Sequence, residues 1–140
     1  MTVERVSATD KALTEIARLE KQHGPLFFHQ SGGCCDGSAP MCYPRGDFKV
    51  GQQDVYMGEI GGQPFYMGKS QWEYWQHTHL IIDVVPGRGS GFSLEAPDGI
   101  RFLTRSRVYT EAENDELDRL GPPPSGAQMN DRAAAAAAAG

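Results

Sequence analysis

The sequence predicts a small α+β domain, and three observations carry that reading: one amphipathic stretch near the N-terminus, a series of short glycine-punctuated aromatic and β-branched runs after it, and a length of 140 residues. A chain of this size fits one domain with one hydrophobic core. In residues 8–22, ATDKALTEIARLEKQ, the residues Leu13, Ile16, Ala17 and Leu19 fall near one face at helical spacing. Thr9 or Asp10 is available as N-cap, and Gly24 with Pro25 closes the helix. From Leu26 onward the runs LFFHQ, DFKVG, DVYMGEI, QPFYMG, HLIIDVV, GFSLEA and IRFLTRSRVY read as strands. Gly61-Gly62 and Pro97-Asp98-Gly99 are hairpin signals between them, and Gly87-Arg88-Gly89-Ser90-Gly91 reads as a sharp turn.

The domain is expected over residues 1–112, as a mixed or antiparallel sheet with one N-terminal helix. Residues 113–140 are expected to form a flexible, disordered low-complexity tail. TEAENDELDRL offers a short acidic helix at best, and the alanine run from Ala133 to Ala139 is too short to hold a helix alone in water.

Charge and hydropathy exclude several classes of function. A formal net charge of −5 argues against nucleic acid as a main partner, because that binding rests on lysine and arginine neutralising phosphates. No apolar run approaches the roughly 20 residues a membrane helix needs, and the N-terminus lacks the apolar stretch of a secretory signal. A cytoplasmic protein is expected, in which three clustered cysteines read as metal ligands or reactive thiols and not as a disulfide framework.

The densest chemistry is FHQSGGCCDGSAPMC, residues 28–42, where His29, Cys34, Cys35, Asp36 and Cys42 fall close together. Thiolate and imidazole are preferred ligands of zinc, iron and copper(I), and the glycines permit tight turns that let neighbours converge. A metal site built on Cys34, Cys35 and Cys42 is expected, with His79 or His29, and also His77, as candidate nitrogen donors. His77 and His79 alternate, so on a strand they share one face. Two other readings of the thiols stay open: a redox or nucleophilic cysteine, for which Arg45 is the nearby cation in sequence, and a purely structural role. Trp72, Tyr74 and Trp75 read as core or interface residues, and Arg101, Arg105 and Arg107 as one face of the last strand, paired with acids.

The segments GPLFFHQSGGCCDGSAPMCYP, FYMGKSQWEYW and HLIIDVVPGRGSGFSLEAPDGIRFLTRSRVY resemble a bacterial family, domain of unknown function 779, over roughly residues 8–112. That family is often encoded beside aldehyde dehydrogenases, so the resemblance implies an accessory role with such an enzyme as partner. The order of motifs is also similar, more distantly, to the HesB-like A-type iron–sulfur carriers. Gly32, Gly33 and Cys34 match that family's Gly-Gly-Cys turn, and Gly91, Phe92 and Pro97 match its Gly-Phe-x-Phe-x-Asn-Pro segment. The family's terminal Cys-Gly-Cys pair is missing; Phe102, Thr104, Arg105 and Ser106 stand in that region.

These resemblances imply a HesB-like fold, a bound iron ion, iron–sulfur cluster or zinc ion, and self-association into a homo-oligomer. The function expected is that of a metal- or iron–sulfur-binding accessory protein. The competing expectations are a thiol-based redox or metal-dependent enzyme of aldehyde metabolism, and a protein-binding module without metal.

Overall fold

The computed structural model describes residues 4–30, 39–45, 51, 54–87 and 93–129. The described residues form two sheets around one core. A three-stranded sheet has the order β1 (Val6–Ala8), β6 (Thr78–Pro86), β7 (Ile100–Val108), with β1 parallel and β7 antiparallel to β6. A four-stranded sheet has the order β3 (Met41–Pro44), β2 (Leu26–Gln30), β5 (Gln63–Met67), β4 (Val55–Ile60). In it β2 runs antiparallel to β3 and parallel to β5, while β4 and β5 form a hairpin. The expected α+β class with mixed and antiparallel sheets is what the chain adopts.

Helix α1 (Asp10–His23) begins where its cap chemistry places it. The Thr9 hydroxyl accepts from the Ala12 N–H, and Gly24 takes a positive φ of 81° at the other end. Its buried face is Ala12, Ile16 and Leu19, whereas Leu13 is 37% exposed and Ala17 is exposed. The inward stripe is therefore turned by about one residue from the one hydropathy predicts. Ala12 is small enough to lie against the sheets at zero exposure, a fit that hydropathy alone does not favour.

The β4–β5 turn forms at Gly61-Gly62 as predicted, with φ of 57° and 80°. A Cβ at Gly61 would stand 3.0 Å from Ile16 Cγ2, so the turn is also a packing surface for α1. A register shift between Tyr56 and Gly58 puts one extra residue into β4. This bulge changes the phase of the strand, so Val55, Met57 and Ile60 are all buried while Glu59 stays outside.

The two sheets meet through aromatic contacts. Phe28 of β2 lies edge-on to Phe102 of β7 at 5.3 Å and faces Phe65 of β5 at 6.4 Å. Leu80 and Ile82 of β6 join the same core, as do Leu26 and Met67. One buried polar link crosses it, from the Thr104 hydroxyl to Gln30 Oε1 at 2.9 Å.

Elements beyond the expected set also appear. Helix α2 (Lys69–Trp75) carries the aromatic stretch: Trp75 is buried, Trp72 packs on the core edge, and Tyr74 is 70% exposed. Strands β1 and β3 are too short to show a hydrophobic period and take their order from pairing with β6 and β2. GFSLEA does not form a strand over its described residues; a 3₁₀ turn at Ala96–Asp98 leads into β7 instead. Most of DFKVG and all of residues 88–91 lie outside the described residues.

Secondary structure continues past residue 112. Helix α3 (Glu111–Leu120) has a full capping box between Thr110 and Glu113 and buries none of its residues. None of its few apolar residues is buried, which is why periodicity gives so little sign of it. Arg5 donates to the Gly121 carbonyl at 2.6 Å, the Tyr56 N–H donates to the Pro124 carbonyl at 2.8 Å, and Ser125 bridges to Val55. The segment after α3 is thus tied to β4 through main-chain hydrogen bonds that a proline-rich sequence does not advertise. The alanine run lies outside the described residues.

Candidate functional site

Strand β2 sorts its side chains by alternation. Leu26, Phe28 and Gln30 point into the core, and Phe27 and His29 point to the opposite face. That second face is also covered, since all five residues of β2 are buried. His29 is 6% exposed, and its Nε2 lies 3.2 Å from Oδ1 of Asp54. The other Asp54 oxygen accepts from the Gly51 N–H at 2.8 Å, which fixes the carboxylate just ahead of β4.

In register, His29 is flanked by Met41 of β3 and Tyr66 of β5, and Tyr66 in turn by Tyr56 of β4. Phe27 stacks on Tyr66 at 5.2 Å and on His29 at 6.3 Å, and Tyr56 meets Tyr66 at 5.3 Å. Burial pushes the Tyr66 phenol above its ordinary pKa, and the neighbouring Tyr56 and Asp54 add to the effect. The outer face of the sheet is therefore an aromatic layer with an imidazole–carboxylate contact within it. Segment 31–40, which carries Cys34 and Cys35, leaves from the end of β2 beside His29 and returns at Met41.

The six predicted ligands do not all meet. Cys34 and Cys35 lie outside the described residues. Cys42 pairs with Phe28 and sits on the core face at zero exposure, the opposite side of the hairpin from His29. Burial pushes its thiol far above the ordinary range, with the Glu95 carboxylate as a second cause, so it is a poor source of thiolate. Its N–H donates to Ser93 Oγ at 2.9 Å, and its carbonyl accepts from the Leu94 N–H at 3.0 Å. Ser93 in turn donates to the buried Glu95, whose pKa is raised chiefly by desolvation. Cys42 is thus a packing residue beside a small buried polar cluster.

His79 belongs to the other sheet, on the face of β6 turned away from Leu80 and Ile82. It shares a 2.9 Å hydrogen bond with Ser7 Oγ through Nε2 and stacks on Tyr109 at 6.2 Å, nearly parallel. His77 is exposed in the turn before β6. Among the described residues, no group of three or more histidine, cysteine, aspartate and glutamate side chains is arranged to hold a metal.

Positions that would answer to the missing thiolates of the A-type carriers are no substitute for them. Phe102 is core, Thr104 is bonded to Gln30, and Arg105 pairs with Asp83 at 2.8 Å. A cluster held in that family's manner does not fit these residues. Arg45, the cation nearest the thiols in sequence, is held at the far end of the β2–β3 hairpin by the Leu26 carbonyl and Gln63 Oε1. Of the other two arginines on the Arg105 face of β7, Arg107 pairs with Glu113, whereas among the described residues no carboxylate lies within 4.0 Å of Arg101. The expected pairing with acids therefore holds at Arg105 and Arg107.

Sequence reasoning missed Asp54, Tyr56 and Tyr66. Their alternation within DVY and FYM was visible, but the parallel pairing of β2 with β5 that sets them beside His29 was not.

Residues 15–108 match the family Domain of unknown function (DUF779), and the chain belongs to that family. No curated protein matches the chain. No helix among the described residues is long and apolar enough to cross a membrane.

Proposed function

We propose that this chain is a metal-binding accessory protein whose ligands are the thiolates of Cys34 and Cys35 with His29 as nitrogen donor. The observation that carries the reading is the buried contact between His29 and Asp54 at the point where the segment bearing both thiols leaves β2. Metal-ligating histidines usually have a carboxylate or carbonyl on their other side, which sets the tautomer and ring orientation. Asp54 is placed either to play that part or to contribute an oxygen ligand. Two thiolates with imidazole and carboxylate suit a zinc or iron ion, and the same thiolates could anchor a small iron–sulfur cluster.

When bound, such an ion supplies Lewis acidity or a transferable metal. The chain's own residues hold it, keep His29 oriented and exclude water through Phe27 and Tyr66. Cys42 takes no part. An aldehyde dehydrogenase is the partner we propose, on the strength of the family resemblance.

Metal analysis of anaerobically purified protein tests this reading. We expect stoichiometric zinc or iron, lost in Cys34→Ala and Cys35→Ala, reduced in His29→Gln, and retained in Cys42→Ala. A wild-type protein without stoichiometric metal, or metal that survives loss of both Cys34 and Cys35, overturns it.

A further inference from the structure

A second site lies away from the cysteines. Between α2, the start of β1 and the turn after α3 is a cavity of about 290 Å³, at the lower edge of the roughly 300–1,000 Å³ typical of small-molecule sites. Trp72, Leu117 and Pro122 give it apolar walls, and Arg5, Gln76 and His77 are among its polar lining. One N–H of the Gln76 amide already donates to the Glu73 carbonyl at 3.0 Å, which leaves the other for an occupant.

Arg5 is the unusual member. It is half-buried, yet among the described residues no carboxylate lies within 4.0 Å of its guanidinium. Among the described residues, its guanidinium donates to the neutral Gly121 carbonyl and to no carboxylate. A desolvated cation is costly without a counter-charge, and a guanidinium has five N–H donors in a fork that matches a carboxylate. Asp118 lines the same cavity without reaching Arg5, which leaves an acceptor for a donor group elsewhere on an occupant.

We infer that this cavity binds a small organic carboxylate. The carboxylate pairs with Arg5, assisted by the Gln76 amide and His77, and the apolar part lies against Trp72. Arg5 also donates to the Gly121 carbonyl, so an occupant shares its guanidinium with the turn after α3.

Chemical-shift titration of the full chain at pH about 7 with sodium propionate and sodium benzoate tests the inference, with propanol and benzyl alcohol as neutral counterparts and sodium chloride as the ionic-strength control. The two tryptophans, Trp72 and Trp75, are expected to give separate indole resonances. Trp72 is expected to shift saturably at millimolar carboxylate, while Trp75, buried in the core, stays in place. The alcohols and chloride are expected to have no saturable effect. Arg5→Gln is expected to weaken binding by about tenfold or more, as loss of a charged hydrogen-bond pair implies. Because that change also touches the Gly121 contact, Trp72→Leu is a second variant; it is expected to weaken benzoate more than propionate. Equal response to carboxylates and alcohols, or no saturable shift at Trp72 in the wild-type protein, overturns the inference. Metal content plays no part in this readout, so the outcome is independent of the cysteine site.

Discussion

His79 shows how a residue chosen for its chemistry is re-used by its surroundings. Its pKa is lowered first by burial and then by the charge of Arg107, with Glu113 and Glu4 acting in the opposite direction. A base whose folded value lies below its unfolded value near 6.5 binds more protons when unfolded. Its contribution to stability is therefore complete above that unfolded value and is lost as pH falls through the folded one. We expect His79→Gln to flatten the fall in stability between pH about 7 and about 5. Urea midpoints of both proteins across that interval check this, and identical slopes would rule it out. Cys42 teaches the complementary lesson: its residue type marked it as a ligand, but its strand position turned it into the core. Alternation from His29 already implied opposite faces for Phe28 and His29. Which of the two Cys42 would join depended on the cross-strand register, and that is not written in the local sequence.

At the scale of elements, helix α1 and strand β6 are fastened at one point. Thr9 caps α1, donates to Asp83 Oδ1 at 2.9 Å, and its N–H reaches the Ile82 carbonyl at 2.9 Å. Thr9→Ala removes both the cap and the tie to Asp83 and is expected to destabilise the protein by about 1–2 kcal/mol, measured by urea denaturation. Helix α1, the β4–β5 hairpin and strands β2, β6 and β7 were legible because each has a cap, a glycine turn or a hydrophobic run long enough to show its period. Strands β1 and β3 were not, since each draws its order from partners elsewhere in the chain, and α3, with a local capping box but no buried residue, was expected only as a short acidic helix at best.

At the scale of the molecule, one aromatic residue joins the two sheets. Phe102 is fully buried and edge-on to Phe28 across the interface. Phe102→Ala is expected to cost about 3–5 kcal/mol, through lost burial and the cavity left behind. A cost below about 1 kcal/mol in denaturant unfolding would show that the sheets do not share this core. By itself the sequence determined the α+β class, the main helix, five of the seven strands among the described residues, the tight turn at Gly61-Gly62 and the concentration of soft ligands between His29 and Cys42. All of these follow from local propensity and periodicity, which act over a few residues. Only the tertiary structure decided that the strands divide into two sheets, that β2 lies parallel to β5 so that His29 meets Asp54 beside Tyr66, that Cys42 faces the core, and that Arg5 closes on the turn after α3. Those contacts join residues distant in the chain, and their pairing is selected by burial of the whole apolar surface at once.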